Sequence, residues 1–168
     1  VPDDCDITAG TSLDCNANGI PDECDIASGT SEDVDGNGKP DECQGTFTDL
    51  GNGLAGTAGL TPSLELSGTV RGGDPLTVDL SDGLTFGVAN LVIGIVAINA
   101  PFKGGTLVPA PDILLAGLPL DGAGALVFDI AWPTGLPSGV STFYQYWNQD
   151  PGGPVGFSAS NAVQVVTP

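Results

Sequence analysis

The sequence predicts a mainly β protein: an antiparallel β-sandwich of immunoglobulin-like topology, preceded by a small cysteine-containing repeat segment with little regular structure. Three observations carry this expectation. From about Gly45 onward apolar residues recur with a period of two, the mark of half-buried strands. The chain holds 26 glycines and 14 prolines, enough to place a turn cluster between successive strands. Residues 1–44 obey a different rule, a 19-residue repeat in which Asp6–Cys24 (DITAGTSLDCNANGIPDEC) and Asp25–Cys43 (DIASGTSEDVDGNGKPDEC) fall in register. The boundary between a repeat domain, 1–44, and a sandwich domain, 45–168, follows from that change of period.

Within the second domain, Leu64–Val70 is the first candidate strand. Leu76, Val78 and Leu80 then alternate with Thr77, Asp79 and Ser81. Leu91–Ile98 is a continuous apolar run, read as a strand covered on both faces because its Val and Ile content and Gly94 disfavour a helix. Ile113–Leu118 follows. Leu126, Phe128, Ile130 and Trp132 share one face against Val127, Asp129 and Ala131, and Thr142–Trp147 and Ala162–Thr167 complete the set. Arg71-Gly72-Gly73-Asp74, Ser81-Asp82-Gly83, Asp121-Gly122 and Asp150-Pro151-Gly152-Gly153 supply the turns. Seven or eight short strands at this spacing indicate a sandwich, with no helix longer than a turn or two.

The repeats place oxygen donors on alternate residues and then a glycine: Asp14-x-Asn16-x-Asn18-Gly19 and Asp33-x-Asp35-x-Asn37-Gly38. A hard cation such as Ca2+ takes six to eight oxygens, and a short coiled loop turns positions one, three and five inward while a glycine at position six allows the bend. The first ligand set is then Asp14, Asn16, Asn18, the carbonyl of Ile20, Asp22 and Asp25. The second is Asp33, Asp35, Asn37, the carbonyl of Lys39, Asp41 and Gln44. Position twelve departs from the bidentate glutamate of an EF-hand in both loops, with the shorter Asp25 in one and the neutral Gln44 in the other.

Four cysteines without histidine or Cys-x-x-Cys spacing point to disulfides rather than zinc. Three connectivities are possible, and Cys5–Cys15 with Cys24–Cys43 is expected because both of its bridges close short loops. Disulfides place the chain outside the cytosol. The formal net charge of −18 argues against nucleic acid and anionic membrane surfaces as partners. No apolar run approaches the roughly 20 residues of a membrane helix. The chain begins without methionine on what looks like half a repeat, as a cleaved precursor or a piece of a longer array would.

The repeats resemble thrombospondin type 3 repeats, whose pattern runs D-x-D-x-D-G-x-x-D-x-C-D. Asp14–Asp25 matches closely, Cys24 included, and Asp33–Gln44 matches except at its last residue. They are similar, more distantly, to the calcium loops of dockerins, the docking modules of cellulase assemblies. Dockerin loops lead into helices of about three turns, whereas Asp25–Ser31 is short and interrupted by Gly29, which weighs against a cohesin-type partner. Roughly Gly51–Pro168 resembles a C-terminal β module that recurs in large secreted proteins of environmental bacteria. Pro101–Pro111, Trp132–Gly139 and Gly156–Ala162 carry that likeness. It implies export and a modular, non-catalytic role.

No catalytic set emerges. The absence of histidine excludes a Ser–His–Asp arrangement. Asp79, Asp82, Asp112, Asp121 and Asp129 sit at turns or on outward positions, as a solvated surface requires. Tyr144, Tyr146 and Trp147 lie on one strand and offer a possible glycan-stacking platform. The expected function is a secreted structural subunit of an extracellular or cell-surface filament, with Ca2+-stiffened repeats and head-to-tail self-association. The alternative is a docking or carbohydrate-binding module. Head-to-tail growth would complete the half-loop that carries Asp3 and Asp6, or add the terminal strand Ala162–Thr167 to a neighbour's sheet edge.

Overall fold

The structure is a computed structural model and describes residues 4–34, 36 and 38–168. It divides into two compact units, Val1–Gly45 and Thr46–Thr167.

In the first unit, α1 (Asp4–Ala9) and α2 (Asp22–Ser28) are equivalent short helices one repeat apart, and a 3-10 turn, Asp41–Cys43, takes the third place. Gly10 and Gly29, again one repeat apart, end the two helices with φ of 72° and 74°. The third turn stops after one round, and Gln44 follows it in extended conformation.

The second unit contains β1 (Thr46–Gly51), β2 (Ser63–Gly68), β3 (Pro75–Ser81), β4 (Val88–Gly94), β5 (Ala97–Phe102), β6 (Gly105–Pro109), β7 (Ile113–Pro119), β8 (Leu126–Ala131), β9 (Ser141–Gln149), β10 (Phe157–Ala159) and β11 (Ala162–Val166). One sheet runs β1-β11-β9-β4-β7, with β10 also on β9, and the other runs β2-β3-β8. Every pairing is antiparallel. Between these two sheets the chain crosses from β1 to β2, from β3 to β4, from β7 to β8 and from β8 to β9. Strand orders β2-β3-β8 and β11-β9-β4-β7 are those of an immunoglobulin-like sandwich, with β1 and the β5–β6 hairpin as additions.

A single core lies between the sheets. Leu64 and Leu66 of β2 and Leu76, Val78 and Leu80 of β3 meet Ala89 and Leu91 of β4, Tyr144 and Tyr146 of β9, and Val163 and Val165 of β11. Leu126, Phe128, Ile130 and Trp132 face it as the alternation predicts, while Val127 and Asp129 face solvent.

The apolar run Leu91–Ile98 is not one strand. β4 ends at Gly94, the chain turns through Ile95 and Val96, and β5 begins at Ala97. The turn is held by Asp112, whose Oδ2 accepts the Ile95 N–H at 2.9 Å. The hairpin β5–β6 then adds a third layer. Leu107 packs with Val92, Trp147 and Ala159, and Val108 packs with Phe143 and Ala162. β9 is therefore buried on both faces, which accounts for aromatic residues at positions of both parities. The terminal strand β11 pairs with β1 on one side and β9 on the other, so it has no free edge to offer a neighbour.

Candidate metal centre

The two loops are built on the same hydrogen bonds, each displaced by one repeat. Asp22 N–H donates to the Leu13 carbonyl and Asp41 N–H to that of Glu32, both at 2.7 Å. Cys15 N–H donates to Asp22 Oδ1 at 2.8 Å, and Val34 N–H to Asp41 Oδ1 at 3.2 Å. Gly19 N–H and Gly38 N–H each donate to the Oδ2 of the first loop aspartate, Asp14 or Asp33, at 2.9 Å. These glycines have φ of 84° and 80°, the left-handed conformation that a side chain resists. The chain therefore coils tightly around the donor side chains at both places.

In the first loop two side-chain amides converge on Asp25, which is 0 % exposed. Its Oδ2 accepts the side-chain amides of Asn16 at 3.2 Å and Asn18 at 2.8 Å. Its Oδ1 is buried without a hydrogen-bond partner. Asp14 and Asn16 also accept the Asn18 N–H, both at 3.1 Å, and Asn18 Oδ1 accepts the Ile20 N–H at 2.7 Å, which sets the Ile20 peptide at position seven. Asp22 is 3 % exposed. No lysine or arginine exists before Lys39 to balance these carboxylates. A buried carboxylate without a counter-charge costs several kcal/mol, and a bound cation removes that cost. The six residues Asp14, Asn16, Asn18, Ile20, Asp22 and Asp25 supply a hard, all-oxygen donor set that fits Ca2+ better than a softer metal.

The second loop is described in part. Asp33 and Asp41 hold the frame, while Asp35 and Asn37 lie outside the described residues, as does Asp3. Gln44 turns its side-chain nitrogen onto the Lys39 carbonyl at 3.2 Å, so position twelve donates a hydrogen bond to the carbonyl at position seven.

The expected cysteine connectivity is overturned. Cys15 is bonded to Cys43, with Cα atoms 5.8 Å apart, and Cys24 carries a free, half-buried thiol. Short loop closure favoured the other pairing. Coiling of the first loop instead carries Cys15, at its second position, across to Cys43 at the end of the second repeat. Asp22 lies beside the bridge, and the two sulfurs are engaged with each other rather than available as metal ligands.

A further repeated pair went unread in the sequence although its signal is in register. Ser12 Oγ donates to Glu23 Oε1 at 2.7 Å, and Ser31 Oγ donates to Glu42 Oε1. These hydroxyls are the first cause that holds the Glu23 and Glu42 carboxyls below the usual range.

The second unit offers no stacking platform from the predicted rings. Tyr144, Tyr146 and Trp147 are 3 %, 0 % and 2 % exposed, because the sandwich core covers the tyrosines and the β5–β6 hairpin covers the tryptophan. The segments Pro101–Pro111 and Gly156–Ala162 meet beside that tryptophan. The Phe102 and Trp147 rings stand nearly perpendicular with centres 4.9 Å apart, and Lys103 Nζ lies 4.7 Å from the centre of the Phe157 ring. Buried Gln145 cements the layer: its Oε1 accepts Val108 N–H at 3.0 Å and Trp147 Nε1–H at 3.2 Å, and its Nε2 donates to the Thr106 carbonyl at 3.1 Å. Asn161 binds β2 as a strand would, accepting the Leu64 N–H at 2.7 Å and donating to the Leu64 carbonyl at 3.1 Å.

Comparison of the chain with protein-family models, with curated proteins and with solved structures finds no match.

Proposed function

We propose that this is a secreted, non-catalytic structural protein, a Ca2+-stabilised subunit of an extracellular filament or surface assembly. The observation that carries the reading is the buried Asp25 carboxylate, one oxygen of which has no partner, at the focus of two asparagine amides in a repeated oxygen-rich loop. The Cys15–Cys43 bridge fits an oxidising, extracellular setting. Among the described residues no helix is long and apolar enough to cross a membrane.

Self-association is supported by the sheet margins. β7 is an outer strand with no charged residue, and its Ile113 and Leu114 are 54 % and 57 % exposed. Such an edge pairs readily with another strand. The calcium-binding unit is the part that chelation loosens, whereas the edge belongs to the sandwich. Negative-stain microscopy of the secreted protein with Ca2+ and with a chelator tests the reading. Polymers that lose regularity on chelation are expected. Monodisperse particles under both conditions would favour a docking module instead.

A further inference from the structure

The geometry points to Glu42, a residue of the second repeat, as an additional charge-supplying and positioning group for the cation site of the first repeat. The inference rests on the calcium reading above and extends it from two independent loops to a site built jointly by two repeats.

Glu42 has no place in its own loop. It stands between Asp41 and Cys43 at the tenth position, which is not a ligand position in the pattern that assigns Asp33, Asp35, Asn37, Lys39, Asp41 and Gln44. Its carboxylate is turned toward the first loop. Oε1 accepts the Asn16 amide at 3.4 Å, and that same amide donates to Asp25 Oδ2 at 3.2 Å. Asn16 Nδ2 is thus shared between a carboxylate of its own repeat and one of the next. The orphaned Asp25 Oδ1 marks this locus as the place where positive charge is wanting.

Two devices hold Glu42 there. The Cys15–Cys43 bridge joins the residue before Asn16 to the residue after Glu42, so the covalent link and the amide contact lie side by side. Ser31 Oγ donates to the same Glu42 oxygen, fixing the side chain from behind. The consequence is chemical as well as geometric. The first site supplies three carboxylates of its own, Asp14, Asp22 and Asp25, and its position-twelve aspartate has a shorter arm than the glutamate of an EF-hand. Ligand charge sets Ca2+ affinity in such loops, and a fourth carboxylate at the rim raises it.

Glu23 provides an internal control. It occupies the same position one repeat earlier and is held by Ser12 in the same way, yet no side-chain amide of the described loop ligands bonds to it.

The test is calorimetric titration of Ca2+ into the full chain with the second loop disabled by Asp33→Ala, so that the first site is read alone. In that background Glu42→Gln, which keeps an oxygen for Ser31 and Asn16 but removes the charge, is expected to weaken binding fivefold or more and to flatten its dependence on ionic strength. Glu23→Gln is expected to change it less than twofold. Cys15→Ser with Cys43→Ser, which releases Glu42 without touching its charge, should weaken binding in the same direction, and adding Glu42→Gln to it should cost little more. Equal effects of Glu42→Gln and Glu23→Gln would overturn the inference while leaving the calcium reading intact. Absence of Ca2+ uptake by the unmutated chain would overturn both.

Discussion

Replacing Asp25 with asparagine separates the two roles of its carboxylate, because the substitution preserves shape and removes charge. In the structure the side chain is fully buried and one of its oxygens has no hydrogen-bond partner. Burying a carboxylate uncompensated costs several kcal/mol even after relaxation. Asparagine escapes that cost, so the Ca2+-free first unit should hold its structure at least as well as the parent. On the proposed Ca2+ reading the same change leaves an amide oxygen at position twelve but removes the charge of that ligand. Losing a group that merely supports a metal ligand costs 10- to 100-fold in affinity, so removing the charge of a ligand should cost about 100-fold. A ligand at 100 times its Kd stabilises the folded state by about 2.7 kcal/mol, and that increment should disappear. Residues 1–45 contain no Trp, Tyr or Phe, so intrinsic fluorescence reports only on the sandwich. The assay is therefore amide hydrogen exchange over residues 13–44, with Ca2+ and with a chelator. Protection should rise with Ca2+ in the parent and stay flat in Asp25→Asn. Equal Ca2+-dependent protection in both proteins would refute the reasoning.

Three further perturbations address the sandwich. Trp132→Ala removes a buried ring from the core and should cost about 3–5 kcal/mol in chemical denaturation, whereas Val127→Ala on the outer face should stay within about 0.5 kcal/mol; equal losses would contradict the strand parity. Asn161→Ala leaves the Leu64 N–H and carbonyl without their partner and should cost about 1–3 kcal/mol, read from the same denaturation curves. Burial pushes the Asp150 carboxyl up, but the Thr57 hydroxyl and amide and the Gly152 amide outweigh it and hold the group below its usual range. Its folded-state value thus lies under the unfolded value near 3.9, so its contribution is complete above about pH 4 and is lost as pH falls through the folded value. Asp150→Asn should flatten the acid limb of sandwich stability below about pH 4, and an unchanged slope would remove Asp150 from that role.

Where one face is buried and the other wet, the sequence announces itself. Leu76, Val78 and Leu80 are fully buried and their neighbours are not, and Phe128 and Trp132 share the predicted side. Periodicity loses its meaning once both faces are covered. β9 reads as a mixture of aromatic and polar residues because Tyr144 and Tyr146 serve one core, Phe143 and Trp147 serve two others, and Gln145 is paid for by hydrogen bonds rather than by exposure. The run Leu91–Ile98 misleads for the converse reason. Ile95, Val96 and Ile98 are apolar yet 66 %, 54 % and 44 % exposed, since the chain leaves β4 there for β5 in a turn set by Asp112 from outside the run. In the repeats, glycine and alternate oxygen donors expose the loop frame directly, because that frame is made of local contacts. The Cys15–Cys43 bridge and the reach of Glu42 depend on how one repeat lies against the next, and a spacing rule applied within one repeat does not contain that information.

The two units also differ in what holds them folded, and this difference bears on the metal. The sandwich has a core of many buried apolar side chains that needs no outside help. Among the described residues of the first unit, the buried positions are Pro21, Asp22, Asp25, Ser31, Pro40 and Cys43. Two of these six are carboxylates and one is a disulfide sulfur, so apolar burial contributes little to that unit. Segments of about 40 residues or fewer usually need disulfides, metals or oligomerisation to fold. One bridge spanning Cys15 to Cys43 restrains the unfolded chain, but it does nothing for the charge of the carboxylates gathered between its ends. Repulsion among Asp14, Asp22 and Asp25 grows as the loop closes, so folding works against itself unless a cation enters. On the proposed Ca2+ reading, binding and folding of this segment would be the same event, and the acidic composition that otherwise opposes a compact state would become the reason for one.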